Sequence, residues 1–230
     1  MFDELEQQSK KAPWKNTQIS SIYFGGGTPS LLGPEQIQRF IQEVKKHFKW
    51  YKNNIEITLE ANPDDITPMN LSHWFSAGIN RLSVGIQSFH HDELQISNRA
   101  HNAKESKRAL EFICNSAFEN YSIDLIYGMP GSTLKSWQEN LENILQFNPP
   151  HMSCYSLTVE HGTVLKHQVE SGKIILPSDD GILSQYTYLI EWARKNKYEH
   201  YELSSFSKME SQSIHNQHYW SYQPYLGIGP

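Results

Sequence analysis

The sequence predicts an α/β fold built on a parallel β-sheet, and three observations support this. Short runs rich in β-branched and aromatic residues alternate with amphipathic stretches along the chain. Each of the first five runs is followed by a Gly, Pro or polar turn and then by helical periodicity, which is typical of βαβ units. No composition shift or Gly/Ser linker divides the 230 residues, so we expect one domain with the strand spacing of a barrel or a doubly wound sheet.

Six segments are predicted to be strands, because their residues favour the extended conformation and turn-forming residues follow most of them. The first five segments give a clear signal and the last gives a weaker one. They cover residues 19–24, 55–60, 81–87, 121–127, 152–158 and 200–206.

The stretches between the strands are predicted to be helices. One begins at Gly33-Pro34 and another at Thr67-Pro68, because proline is favoured in the first turn of a helix. Residues 1–11 also have helical character. Apolar residues at helical spacing define the faces that we expect to be buried. These are Ile37, Phe40, Ile41, Val44 and Phe48; Leu71, Trp74 and Phe75; Ala109, Leu110, Ile113 and Ala117; Leu134, Trp137, Leu141, Ile144 and Leu145; and Leu183, Tyr186, Leu189, Ile190 and Ala193.

Composition and charge exclude several classes of protein. Apolar residues make up 38% of the chain and charged residues 20%, which is too apolar for a disordered chain. No apolar run approaches the ~18 to 20 residues of a membrane span, so no transmembrane segment is predicted. The net charge of -5 offers no basic excess for nucleic acid. The chain start lacks the basic and apolar regions of a signal peptide, which leaves the cytoplasm as the expected location.

The sequence contains two cysteines, Cys114 and Cys154. Two thiols provide neither a disulfide framework nor a metal site of four thiolates. Cys114 falls on a predicted helix and Cys154 in a predicted strand. We therefore expect both to be buried small apolar residues rather than metal ligands.

A glycine-rich turn follows the first predicted strand, at the end where parallel α/β folds bind their ligands. Gly25, Gly26 and Gly27 lack a Cβ, which lets backbone amides and carbonyls approach a ligand closely. The turn fits neither G-x-x-x-x-G-K-S/T nor G-x-G-x-x-G, so a nucleotide phosphate loop is not expected. An ordinary strand-to-helix turn is the alternative interpretation.

Four polar residues near later strand ends are further candidates. Glu60 ends the second strand and faces either a ligand or solvent, and Gln87 ends the third. Asp124 lies within an apolar run, where a carboxylate needs hydrogen bonds; it serves a ligand or a polar network, or neighbouring backbone satisfies it. Arg99 alone is a surface charge, and it becomes a candidate as the partner of a ligand carboxylate.

Six short motifs follow one another along nearly the whole chain. They are GGGTPS at 25–30, EANP at 60–63, GIQSF at 85–89, NR at 98–99, IDLIYGMPG at 123–131 and YSLTVE at 155–160. In this order they resemble radical S-adenosylmethionine proteins, in the branch of the oxygen-independent coproporphyrinogen III oxidases and the HemW heme chaperones. The tail, at residues 201–206, 215–220 and 225–230, resembles the chaperones more closely.

The resemblance implies an incomplete (β/α) radical S-adenosylmethionine barrel, which is a partial TIM barrel with a parallel sheet. Residues 1–175 would form its core, lacking the first strand and the Cys-x-x-x-Cys-x-x-Cys loop. Residues 176–230 would form the end of the barrel and the start of the HemW-type C-terminal region. The family places that first strand before residue 1 and continues past residue 230, so we expect a chain truncated at both ends.

The resemblance also implies roles for individual residues. S-adenosylmethionine carries an ammonium, a carboxylate and a ribose diol, which require acceptors and a cation. The expected contacts are Gly26, Gly27, Thr28 and Glu60 for the amino group, Arg99 for the carboxylate, Gln87 and Asp124 for the ribose, and His215 for heme. The alternative for His215 is a surface histidine in a polar loop. His90, His91 and His218 are expected to be solvated.

The cofactors that the resemblance implies are S-adenosylmethionine, a 4Fe-4S cluster and heme, and the implied partners are heme-accepting apoproteins. The cluster-binding cysteines are expected outside this chain, so the chain alone is predicted not to cleave S-adenosylmethionine reductively. Whether it is an enzyme stays open. Without a first strand, residues 19–24 would form an open sheet edge, which predicts self-association.

The sequence is compatible with two alternative functions. The first is the oxygen-independent oxidase, which decarboxylates coproporphyrinogen III by radical chemistry. The second is an unrelated barrel enzyme that binds a sugar phosphate at the glycine turn. The second is disfavoured because no Lys or Arg occurs between Ser20 and Gln38.

Overall fold

Strands and helices alternate along the chain. The computed structural model describes residues 1–51, 55–97, 99 and 101–229, so Asn98 of the NR motif and Pro230 lie outside the described residues. The strands are β1 (Gln18–Ile19), β2 (Ser21–Phe24), β3 (Lys49–Trp50), β4 (Glu56–Ala61), β5 (Arg81–Gln87), β6 (Tyr121–Tyr127), β7 (His151–Ser156), β8 (Glu199–His200) and β9 (Ser205–Ser207). The helices are α1 (Phe2–Ser9), α2 (Pro34–His47), α3 (Pro68–Ala77), α4 (His91–Ile96), α5 (Ala103–Cys114), α6 (Leu134–Phe147), α7 (Val164–Glu170), α8 (Asp179–Lys195) and α9 (Ile214–Trp220).

In the described part of the chain, seven strands form one sheet with the order β2-β4-β5-β6-β7-β9-β8. The first five strands of this order pair in parallel, which confirms the predicted α/β fold with a parallel sheet. Strand β9 is antiparallel to both β7 and β8. The short strands β1 and β3 form a separate parallel pair.

The last predicted strand, residues 200–206, is wrong in detail. In its place β8 and β9 form an antiparallel hairpin at the edge of the sheet. The chain turns between them, and the amide of Tyr201 donates to the carbonyl of Ser205 at 3.3 Å. This turn contains neither Gly nor Pro, so the sequence pattern did not reveal it.

The sheet has one apolar face and one polar face, because side chains alternate along each strand. On the apolar face, Leu59, Val84 and Leu125 are fully buried and share one core with residues of α2, α3, α5 and α6. We call the opposite side the polar face. It carries Tyr23, Glu56, Glu60, Arg81, Ser83, Ser122, Asp124, His151 and Ser153.

Both predicted helix starts are confirmed. Helix α2 begins at Pro34 and α3 at Pro68, where Thr67 Oγ1 accepts the Asn70 N–H at 3.1 Å. Some residues predicted on buried faces are instead exposed, namely Phe75, Leu134, Leu145, Leu183 and Ile190, and Ala117 lies beyond the end of α5. In α8 the buried stripe includes Gln185, whose Oε1 accepts the Gly128 N–H at 2.9 Å. The buried face of α8 therefore includes a polar side chain, whereas the sequence pattern predicted a buried face of apolar residues only.

Candidate functional site

The glycine turn follows β2 at the carboxyl end of the parallel strands. Gly26 and Gly27 have φ angles of 80° and 62°, in the left-handed region that favours glycine. A Cβ on Gly25 would lie 2.7 Å from a ring carbon of Tyr23. Local geometry therefore requires glycine at these positions, which leaves the turn with exposed backbone and no side chains.

Glu60 connects the end of β4 to this turn. Its Oε1 accepts the Tyr23 hydroxyl at 2.8 Å, and its Oε2 accepts the Gly26 N–H at 3.2 Å. The side chain is half-buried and faces the turn, so of the two predicted directions, ligand side or solvent, it takes the first. Burial and the nearby Glu60 charge raise the pKa of Tyr23 well above its ordinary value, so this hydroxyl stays protonated and remains a donor.

The far side of the turn is also fixed by hydrogen bonds. The carbonyl of Thr28 accepts the Leu31 N–H at 3.2 Å, which begins a short 3-10 turn. Ser30 Oγ donates to Asp65 Oδ2 at 2.6 Å, in the loop that follows β4. The half-buried Thr28 thus lies between two anchored segments.

Asp124 lies in the middle of β6, on the polar face. Its carboxylate accepts the hydroxyls of Ser83 at 2.8 Å and Ser122 at 3.0 Å, and Ser153 Oγ lies 3.2 Å from Ser122 Oγ. Burial raises the pKa of Asp124, and the three hydroxyls oppose this rise. Side-chain hydroxyls rather than neighbouring backbone therefore satisfy the acid, which confirms a network role.

Gln87 ends β5 in a strained conformation. Its φ is 66°, and the pairing register between β5 and β6 shifts between Val84 and Gln87. The side chain folds back along the strand, since a Cβ on Gly85 would lie 2.8 Å from Gln87 Nε2. A non-glycine residue in this region costs free energy, so the surrounding structure must hold Gln87 in place.

Arg99 is exposed in the segment after α4, and its N–H donates to the Leu94 carbonyl at 3.0 Å. Two residues further on, the buried His101 ties this segment to β5, with Nε2 3.1 Å from the Ile86 carbonyl. Burial lowers the pKa of His101, which favours the neutral ring. These two contacts hold the backbone of Arg99 near the end of β5, and partial burial of the guanidinium lowers the pKa of Arg99 from its ordinary value.

The structure brings only part of the predicted site into direct contact. Glu60 is bonded to the glycine turn, and Asp124 lies close enough to Tyr23 to raise its pKa further. Within the described residues, no hydrogen bond or ion pair joins Gln87 or Arg99 to this group. Gln87 is the last residue of β5, and Arg99 lies in the segment that follows α4.

His215 lies on α9, which packs against the polar face. Its ring stacks on Tyr23 with centroids 4.7 Å apart, and Nδ1 lies 3.1 Å from Ser21 Oγ. Burial lowers the pKa of His215, so its ring is neutral at pH 7. The alternative of a surface histidine in a polar loop is wrong, because the residue is half-buried in a helix.

Glu56 anchors the start of α9. Its carboxylate accepts the Ser213 hydroxyl at 3.2 Å and the amides of Ile214 and His215, both at 3.0 Å. Arg81 Nε lies 3.9 Å from the same carboxylate. A charged acceptor at the exposed amides of a helix start is favourable, so Glu56 holds the segment that carries His215.

Three functional candidates were missed by the sequence analysis. Tyr23 has a signal in hindsight, since strand alternation places it on the same face as the ligand cleft two residues before the glycines. Glu56 and His101 gave no signal, because their partners are distant in sequence. Of the histidines expected to be solvated, His91 is exposed, whereas His90 and His218 are half-buried.

Comparison with known proteins identifies the family. A model described as the Radical SAM superfamily matches residues 2–144. The chain belongs to the radical SAM superfamily. Membership implies S-adenosylmethionine and a 4Fe-4S cluster as cofactors.

Curated relatives place the chain within this superfamily. It is 36% identical to the heme chaperone HemW of Haemophilus influenzae over 98% of the chain and 58% of that protein. The HemW of Bacillus subtilis is 34% identical over 99% of the chain and 61% of that protein. A zebrafish protein named radical S-adenosyl methionine domain-containing protein 1, mitochondrial, is 35% identical over 93% and 48%. The chain is thus a HemW-like radical SAM protein that spans about half to three-fifths of the length of these relatives.

Solved structures confirm the partial barrel of the radical SAM fold. Coproporphyrinogen III oxidase (HemN) from Escherichia coli matches with a TM-score of 0.74 and 27% identity, over 90% of this chain and 48% of that one. Elp3 from Methanocaldococcus infernus matches with a TM-score of 0.63 and 20% identity, over 79% and 47%, and supports the fold alone. Among the described residues, no helix is both long and apolar enough to cross a membrane.

The two cysteines do not form a radical SAM cluster site. Cys154 is buried in the core, and burial raises the pKa of its thiol far above the ordinary value. Cys114 is exposed at the end of α5, with Sγ 3.5 Å from the Tyr121 hydroxyl at the amino end of β6. The predicted burial of Cys114 is wrong, because it follows Ile113 outside the buried stripe of the helix. Neither thiol lies at the carboxyl ends of the strands.

Proposed function

We propose that the carboxyl ends of β2, β4, β5 and β6 bind S-adenosylmethionine. The observation that carries this proposal is the Glu60 carboxylate, which is held against the exposed backbone of the glycine turn. A carboxylate beside free carbonyl groups suits the ammonium of the methionine moiety. Gly26, Gly27 and Thr28 would supply that backbone, and Glu60 would supply the negative charge.

The remaining polar groups match the other parts of the ligand. Arg99 is an exposed cation with no ion pair among the described residues, and its planar fork suits a carboxylate. Gln87 and Asp124 offer acceptors for the two ribose hydroxyls. The site would therefore place the Arg99 cation beside the ligand's carboxylate, and the carboxylates of Glu60 and Asp124 beside its ammonium and its ribose.

The test is calorimetric titration of the chain with S-adenosylmethionine. Glu60→Gln keeps an acceptor for Tyr23 while it removes the charge, and Arg99→Ala removes the cation. Each is expected to weaken binding by about tenfold or more, since a hydrogen bond to a charged group contributes about 1.5–3 kcal/mol. Arg108→Ala is the matched control, because Arg108 is exposed on α5.

Circular dichroism would establish that each variant is folded. A folded wild-type chain that does not bind S-adenosylmethionine overturns the proposal. Unchanged affinity in both Glu60→Gln and Arg99→Ala would also overturn it, because the ligand would then bind elsewhere.

We propose further that the chain contributes to a HemW-like heme-binding function, with heme-accepting apoproteins as the eventual partners in the cytoplasm. The support comes from the relatives named heme chaperone and from the surroundings of His215. In the tautomer in which Nδ1–H donates to Ser21 Oγ, the neutral ring has an unprotonated Nε2 that could bind heme iron. Tyr219 and Trp220 expose aromatic surface on the same helix, at 48% and 58% of their areas.

Hemin titration followed by the Soret absorption band tests this second proposal. His215→Ala is expected to weaken hemin binding by about tenfold and to shift the band, because an axial ligand sets the haem spectrum. His218→Ala removes a histidine from the same helix and serves as the control. Equal spectra for the wild type and His215→Ala would remove His215 from the proposal.

The oxidase function remains a second candidate, because the HemN structure superimposes on most of the chain. Coproporphyrin III, added in competition with hemin, separates the two. Preferential binding of hemin supports the chaperone function, and preferential binding of coproporphyrin III supports the oxidase. We also propose that residues 1–175 form the radical SAM core and that residues 176–230 form the end of the barrel and the start of the C-terminal region.

A further inference from the structure

A buried polar cluster behind the proposed ligand site has no role in the function described so far. It consists of Ser88, Glu93, Ser136 and Asn140, and we call it the α6 clamp because two of its members lie on α6. Ser88 Oγ donates to Glu93 Oε2 at 2.5 Å, and Ser136 Oγ donates to Glu93 Oε1 at 2.9 Å. Ser88, Glu93 and Asn140 are 0%, 5% and 1% exposed. Polar groups buried this deeply are costly, so the cluster requires a reason.

Asn140 holds the backbone that follows Gln87. Its Oδ1 accepts the Phe89 N–H at 2.6 Å, and its Nδ2 donates to Ser88 Oγ at 3.2 Å. The next amide, from His90, donates to Ser88 Oγ at 2.9 Å. Three consecutive residues after Gln87 are therefore fixed by hydrogen bonds to the clamp.

Glu93 sets the orientation of the Asn140 amide. Asn140 Nδ2 also donates to Glu93 Oε2 at 3.3 Å, so the amide nitrogen faces the carboxylate. This leaves Oδ1 to accept from Phe89. Reversing the amide would place an oxygen against a carboxylate and a nitrogen against an N–H donor, which is doubly unfavourable.

Gln87 needs such support because of its backbone. Its φ of 66° lies in the left-handed region, which is unfavourable for a non-glycine residue, at the point where the register between β5 and β6 shifts. Strain of this kind persists only where the surroundings fix the conformation. The clamp provides that fixation immediately after the strained residue.

We infer that Asn140 is a positioning residue for S-adenosylmethionine, acting through Gln87. The inference rests on the proposed function, since Gln87 is there the contact to a ribose hydroxyl. Asn140 itself is buried on α6 and does not touch the ligand. Its removal would let Gln87 leave the strained conformation, and the ribose contact would be lost.

The test is a double-mutant cycle in S-adenosylmethionine affinity, measured by calorimetry on the full chain. Asn140→Ala is expected to weaken binding by about tenfold in the wild-type background. In the Gln87→Ala background the same substitution should weaken binding by less than about twofold, because the contact through which it acts is already absent. A substitution that merely loosened the fold would lower affinity equally in both backgrounds.

Asn143→Ala, which changes the same residue type one turn along α6, is the matched control and should bind like the wild type. Should Asn140→Ala fail to fold, Ser88→Ala removes the hydroxyl that contacts both the Asn140 amide and the His90 amide. Ser88→Ala is expected to weaken binding by about threefold or more, again only when Gln87 is present.

The outcomes separate this inference from the proposed function. A wild-type chain that does not bind S-adenosylmethionine refutes both. Binding by the wild type, loss in Arg99→Ala and no loss in folded Asn140→Ala or Ser88→Ala refutes the positioning role alone. Equal losses in both backgrounds of the cycle also refute it, because Asn140 would then not act through Gln87.

Discussion

Tyr23 contacts both of the proposed binding sites. Its hydroxyl donates to Glu60, and its ring stacks on His215. The ring also lies against Gly25, where no Cβ has room. One side chain on β2 therefore separates the position proposed for the S-adenosylmethionine ammonium from the position proposed for heme, and it touches the residue responsible for each.

The buried His151 on the polar face is expected to make the free energy of unfolding depend on pH. Its Nδ1 lies 2.8 Å from Ser122 Oγ, and its Nε2 lies 2.8 Å from the Tyr201 hydroxyl. Burial and the nearby Arg81 hold its pKa well below the ordinary value. The unfolded chain binds a proton at this residue below about pH 6.5, whereas the folded chain does not. The free energy of unfolding should therefore fall as the pH drops below this value.

We expect His151→Gln to reduce this loss of stability. A single histidine of this kind contributes at most about 1.4 kcal/mol per pH unit, so the wild type should lose about 1 kcal/mol more than the variant between about pH 6.5 and 5.5. Urea unfolding at both pH values measures the difference. His101 and His215 remain in both proteins and cancel, and the exposed His91 provides the control variant His91→Gln. Equal pH slopes for the wild type and His151→Gln would contradict the assignment.

The glycine turn combines two different requirements within three residues. Gly25 is constrained by space, since a Cβ would lie 2.7 Å from Tyr23 and 3.1 Å from Glu60. Gly26 has open space around it and is constrained by its φ of 80°. These constraints predict different responses to the same alanine substitution.

Gly25→Ala is expected to cost about 1–3 kcal/mol by forcing Tyr23 away from Glu60. Gly26→Ala is expected to cost about 1–2 kcal/mol through backbone conformation alone. In the Tyr23→Ala background, most of the Gly25→Ala cost should disappear, while the Gly26→Ala cost should be unchanged. Urea unfolding of the three single variants and the two double variants measures this. A Gly25→Ala cost that is the same in both backgrounds would show that the Tyr23 ring is not the obstacle.

Local sequence patterns predicted most of the elements. The five parallel strands and the starts of α2 and α3 followed from alternation, helical periodicity and proline, which depend only on neighbouring residues. The hairpin of β8 and β9 was missed because its turn contains neither Gly nor Pro. Cys114 was misplaced because a single step along α5 moves a side chain from the buried stripe to solvent.

The sequence predicted those site residues whose polar side chains lie within a strand or at its end. Glu60 and Asp124 stood out because a carboxylate beside or within an apolar run needs partners. The contacts of Tyr23 with His215 and of Phe89 with Asn140 join distant parts of the chain, so no local pattern encodes them. They arise from the docking of α9 and α6, which tertiary packing decides.

At the scale of the whole molecule, the two proposed sites share one surface. The proposed S-adenosylmethionine site lies at the carboxyl ends of the strands, and α9 packs against the polar face, where Glu56 holds its first residues. Both are built on β2, through Tyr23 and Ser21. The position of β2 in the sheet therefore affects both proposed sites.

Strand β2 stands at the edge of the sheet. Among the described residues, Ser21–Phe24 pairs with β4 alone, so its other backbone edge is open to a further strand. Unpaired edges adjacent to an apolar core favour pairing between chains. We therefore expect the chain to self-associate through β2 in a concentration-dependent manner.

Light scattering coupled to gel filtration over about a twentyfold range of concentration should show the mass increasing, as mass action requires. Hydrogen exchange locates the contact. The amides of Ser21–Phe24 should exchange more slowly at the high concentration, whereas those of Tyr121–Tyr127 in the sheet interior should not change, because that strand is already paired on both sides. A constant monomeric mass with unchanged exchange in β2 would contradict the prediction. An increasing mass without protection of β2 would assign the association to another surface.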